Sequence, residues 1–121
     1  MDDIAGEFVM RCFHVRTNAH VMHLSTRSYA EHKALNEFYD AIVPLIDSFA
    51  EAYQGEYGLI KCPPWDYEVA ESATEMLQEL AEWVGFNRTD ICEEDDTYIQ
   101  NILDEIVALI RSTIYKLKFL K

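Results

Sequence analysis

A chain of 121 residues that is half apolar can bury one substantial core but not two, which excludes a disordered chain and a two-domain architecture alike. With 22 acidic residues against 10 lysines and arginines, the net charge of −12 makes nucleic acid a poor partner and suits cation accumulation or docking on a basic protein instead. Only four glycines and three prolines punctuate the sequence, no apolar run reaches 18 residues, and the three cysteines form no Cys-x2-Cys pair; we therefore expect long helices, no membrane span, and reduced thiols in a cytoplasmic setting.

The first predicted helix covers 3–24. Ile4, Phe8, Cys12, Val15, Ala19 and Met22 recur at three- and four-residue spacing and form a core stripe. Beside it runs a half-polar line, Val9, Phe13, Arg16, His20 and His23, suited to a subunit interface, while His14 falls between the two and is expected at the surface. After the polar turn Ser25-Thr26-Arg27, Ser28 and Glu31 have the spacing of a capping box. The second helix then carries Leu35, Phe38, Ile42, Leu45, Ile46, Phe49 and Tyr53 down to a stop at Gly55. Pro44 lies inside it and cannot donate to the carbonyl of Asp40, so a kink or a local loosening is expected there.

Residues 56–66, EYGLIKCPPWD, read as a short connection. At full extension it spans roughly 36 Å, enough for a crossover along the bundle as well as for a simple return. A third helix over 66–84 presents Val69, Ala73, Met76, Leu77, Leu80 and Val84, with Gly85 as its terminator. A polar link leads to Glu93-Glu94-Asp95-Asp96, which precedes a fourth helix carrying Ile99, Ile102, Leu103, Ile106, Ile110, Ile114 and Leu117. The expected architecture is an all-α four-helix bundle over 1–121.

His20 and His32 are each six residues from Thr26, so antiparallel helices joined at that turn set them at the same height. Asp47 and Glu51 share a face one turn apart. Along one straight helix, however, His32 and Asp47 are roughly 22 Å apart at 1.5 Å per residue, so one chain cannot assemble all four. Two copies can, if their second helices pack antiparallel about a two-fold axis near Asp40.

The spacing His-x11-His-x14-Asp-x3-Glu resembles the ferroxidase motif of the Dps mini-ferritins. The segments SYAEHKALNEFYD and FAEAYQG also resemble short, uncharacterised phage-encoded proteins of ferritin-like type. This resemblance covers the first half of the chain. It implies a ferritin-like bundle that self-associates as a dimer or higher oligomer, in the host cytoplasm or the virion. It further implies an iron site, with zinc or manganese as other candidate metals, in which His20 and His32 of one subunit meet Asp47 and Glu51 of its mate. Val21 stands where Dps proteins usually carry tryptophan, and Ala52 where a basic residue is common. His23, one turn from His20, competes with it as the ligand.

The alternative is a small acidic phage-type protein without metal chemistry, acting as an inhibitor or structural partner of a basic protein. Cys62 has no histidine beside it in sequence, Asp104 and Glu105 suit solvated surface, and no Glu-x-x-His motif or glycine-rich phosphate loop occurs. Binding to duplex DNA is expected to be undetectable at physiological salt by mobility shift, since self-association multiplies an already negative field.

Overall fold

The computed structural model describes residues 3–121, with four helices: α1 over Ile4–Ser25, α2 over Tyr29–Tyr57, α3 over Ala73–Ile91 and α4 over Thr97–Phe119. Asp3 caps α1 by accepting from the Gly6 amide, and Ser28 and Ser72 cap α2 and α3 by accepting from Glu31 and Glu75. Only half of the expected capping box at Ser28 forms, because the Ser28 amide donates to the Thr26 hydroxyl. Helix α2 runs unbroken through Pro44, which lies exposed on its outer side.

Helix α1 packs against α2 and α3, and α4 packs against the same two, so α1 and α4 lie on one diagonal of the bundle and α2 and α3 on the other. Side-chain pairs fix the directions. Phe8 meets Phe49 while His23 meets His32, so α1 and α2 are antiparallel. Glu56 with Tyr98 at one end and Glu37 with Lys116 at the other make α2 and α4 antiparallel. Arg88–Asp104 and Gln78–Arg111 do the same for α3 and α4. Helices α2 and α3 therefore run in the same direction, and residues 58–72 must climb back along the bundle between them.

The climb is written in hydrogen bonds to α1. The amide of Lys61 donates to Asp3, that of Glu68 to His14 Nε2, and that of Ala70 to Asn18 Oδ1. Asn18 is the hub: only 1% exposed, it also donates through Nδ2 to the carbonyls of Glu68 and His14 and accepts from the Tyr67 hydroxyl. Below it the connection presses so closely on Gly6 that a methyl group there would overlap the Lys61 carbonyl. Glycine is required at this position by proximity rather than by its backbone angles.

Three expected boundaries move. The connection is longer than the short one anticipated, and α3 starts at Ala73 rather than at 66, because 67–70 are tied to α1 by hydrogen bonds. Val69 is accordingly 74% exposed and belongs to no helix. Helix α2 passes Gly55 and stops at Gly58, whose φ of 95° only glycine adopts readily. Helix α3 passes Gly85 and ends at Ile91, where Gln100 gathers the carbonyls of Arg88, Cys92 and Glu93.

The core is continuous across all four helices, with Phe8, Phe38, Phe49, Leu35, Leu77, Leu103 and Ile106 among the fully buried side chains. Burying each such side chain contributes about 1.5–3 kcal/mol. Cys12 and Cys92 are buried and Cys62 is exposed, and all three are free thiols. Burial pushes the Cys92 thiol up to about 11, and it also raises Cys62, which weakens the case for a nucleophile there. No described helix is long and apolar enough to cross a membrane.

Asn18→Ala leaves the Ala70 amide and the Glu68 carbonyl without their partner, so it is expected to lower stability by about 2–4 kcal/mol. Gly6→Ala should loosen the same segment by steric overlap. Urea unfolding followed by circular dichroism measures both, and a loss below about 0.5 kcal/mol for Asn18→Ala would show that the segment is not anchored there.

Candidate functional site

Four side chains gather where α1 hands over to α2. The His20 ring stacks on Tyr39 with centroids 4.0 Å apart and 12° between planes, and the His23 ring stacks on His32 at 4.2 Å and 22°. His20 and His23 are 5.4 Å apart, as neighbours one turn apart on a helix must be. The sequence pairs His20 with His32 by height; in the structure it is His23 that fills the space against His32.

Hydrogen bonds give the three imidazoles different roles. His23 is 7% exposed, and its Nδ1 lies 3.0 Å from the His20 carbonyl. His32 Nδ1 lies 2.7 Å from the His23 carbonyl. A carbonyl can only accept, so both Nδ1 atoms carry the proton, and in the neutral rings the lone pair sits on Nε2. His23 Nε2 faces the Tyr39 hydroxyl at 3.4 Å, but that hydroxyl donates to Asn36, which in turn donates to Asp40. His32 Nε2 and both ring nitrogens of His20 have no hydrogen-bond partner among the described residues. His23 is thus the buried wedge that orients its neighbours, while His20 and His32, both half-buried, keep nitrogen lone pairs open.

Asp47 and Glu51 lie exposed on α2, one turn apart, and neither takes part in an ion pair among the described residues. They are remote from the histidines of their own chain. No group of three or more histidine, cysteine or carboxylate side chains that could hold a metal forms among the described residues. Arg16, one turn before His20, has its Nε buried with no acceptor, and its guanidinium lies 5.7 Å from the Phe13 ring. An orphaned buried donor is costly and calls for an acceptor.

At the opposite end the Tyr57 hydroxyl donates to Asp96, which pushes the phenol up to about 12. Asp96 also accepts from the Glu93 amide, so part of the acidic cluster serves as the entry to α4. Asp104 is held by Arg88 at 2.6 Å. Sequence reasoning placed His14 on the surface and passed over Asn18; both anchor the connection, and the signal that could have found Asn18 is a polar residue one position before Ala19 on an otherwise apolar face.

Fold and site together define a small all-helical bundle with one lengthwise crossover and an aromatic-histidine cluster at one end. The chain belongs to a family of unknown function, DUF5856, whose profile matches residues 23–117. It is also similar to the uncharacterized 14.6 kDa protein in the mobD-ri intergenic region of Enterobacteria phage T4, with 26% identity over 113 residues that span 93% of this chain and 87% of that one. No solved structure matches the chain. The family match includes His23, His32, Asp47 and Glu51 and begins after His20.

His23→Ala is expected to cost about 2–3 kcal/mol, because it empties a buried ring site, removes the ring on which His32 stacks and leaves the His20 carbonyl without the Nδ1 donor. His20→Ala and His32→Ala should each cost about 1 kcal/mol or less. Denaturant midpoints for the three variants test this order, and equal losses would contradict the wedge.

Proposed function

We propose that the protein self-associates along its α1 and α2 face and binds iron between two copies, with His20 and His32 of one copy opposite Asp47 and Glu51 of the other, and that ferrous iron is oxidised there with dioxygen or peroxide as the electron acceptor. The observation that carries this reading is the division of labour among the histidines: His20 and His32 keep open nitrogens while buried His23 fixes the His32 ring. Backbone carbonyls holding the Nδ1 protons of His23 and His32 are the kind of outer contact that orients metal-binding imidazoles. Two nitrogen donors and two carboxylates suit ferrous iron, and zinc or manganese as well. The single lengthwise crossover supports a ferritin-like reading of the bundle.

A second reading is an acidic phage-type interaction protein without metal chemistry. The uncharacterised phage T4 relative and the exposed carboxylates at 93–95 favour it.

Protein purified without chelator is expected to be at least a dimer at micromolar concentration, to carry iron, zinc or manganese by elemental analysis, and to oxidise ferrous iron above the buffer rate. His32→Ala and Asp47→Asn should each lower that rate at least tenfold with helicity unchanged. Mixed and reassembled, the two variants should regain part of the activity, because both lesions can fall in one of the two shared sites. A monomer of about 14 kDa by light scattering, or a metal-free protein at the buffer rate, would leave the interaction module as the better account.

A further inference from the structure

Away from the histidines, the crossover and α3 enclose a cleft of about 330 Å³ against α1. Its floor is apolar, formed by Val15, Met76 and Leu80, and Trp65 makes one wall. Its rim is acidic: Glu68 and Glu71 come from the crossover, Glu75 and Glu79 from consecutive turns of α3. None of these four carboxylates is in an ion pair among the described residues.

The cations at hand are already satisfied. Arg11 lines the cleft, but its guanidinium is bound to Glu7 at 2.7 Å and lies between Trp65 and Trp83, 5.3 and 4.8 Å from their centroids. His14 Nε2 accepts from the Glu68 amide. The mouth therefore carries uncompensated negative charge over an apolar floor, which matches a side chain with a hydrocarbon stem and a cationic tip.

We propose that this cleft is a docking site for an extended basic segment of another protein, which inserts lysine or arginine side chains between the crossover and α3. Charge complementarity selects the occupant, and spacing sets its register. Glu75 and Glu79 advance by one helical turn, roughly 6 Å. Alternate residues of an extended chain advance by a nearly equal ~6.6 Å, so basic residues at every second position meet successive carboxylates. Val69 and Tyr67, exposed on the crossover beside the mouth, offer apolar surface to the residues between them. None of its lining residues is one of the four proposed metal ligands, and none lies on α2.

The test is fluorescence anisotropy of a labelled Lys-Ala-Lys-Ala-Lys peptide titrated with the 121-residue chain at about 100 mM salt, where long-range attraction is screened. We expect saturable binding that is lost when the lysines are acetylated and weakened at least threefold when they are made contiguous. Glu75→Gln with Glu79→Gln, both at exposed positions, should weaken binding tenfold or more, whereas Glu93→Gln with Glu94→Gln removes the same charge elsewhere and should change it less than threefold. Equal effects of the two pairs would reduce the interaction to net charge and overturn the proposal. So would an absence of saturation at millimolar protein. Spermidine that displaces the peptide with equal or tighter affinity would overturn the assignment of a protein segment in favour of a free polyamine.

Discussion

A stretch of chain without regular structure that crosses the length of a bundle must find partners for its backbone amides and carbonyls, and here Asn18 supplies two of them. Its amide group is both donor and acceptor, so one buried side chain serves the Glu68 carbonyl and the Ala70 amide at once. The arrangement is all or nothing: satisfied, the network fixes the path of 67–70, and half satisfied it would be worse than an apolar residue. Everything beyond depends on that path. It sets where α3 begins and which face of α3 meets α1, and it places Trp65 beside Arg11.

The histidine cluster shows the same economy in a different medium. Stacking and backbone carbonyls, rather than carboxylates, hold the imidazoles, so the rings are oriented without adding charge to the site. That leaves the negative charge of the chain on its outer surface, where Asp47 and Glu51 face outward. On the proposed reading the site is incomplete in one chain, and metal binding there would be tied to association.

Periodicity carried most of the architecture. The helix count, the turn at 25–28 and the cap at Ser28 follow from apolar spacing and local hydrogen-bonding chemistry, which are properties of neighbouring residues. The misses share one cause. Glycines 55 and 85 read as terminators because glycine often is one, yet each lies exposed inside a helix that continues past it at only a modest cost in propensity. Val69 fits a helical stripe in sequence, but the contacts that keep it out of α3 come from Asn18, far away in the chain. Likewise the height argument brought the histidines to one end of the bundle, while the choice of His23 as the buried ring depends on the rotation of α1, which spacing alone leaves free.

The crossover also bears on the order in which the chain can assemble. The bond from His32 to the His23 carbonyl closes 9 residues, whereas the bond from Asn18 to the Glu68 carbonyl closes 50, an entropic difference of about 1.5 kcal/mol. The α1–α2 hairpin can therefore form early from local contacts, whereas the anchoring of 67–70 carries the larger closure cost. If that anchoring forms after the rate-limiting step, loss of the Asn18 network speeds unfolding more than it slows folding.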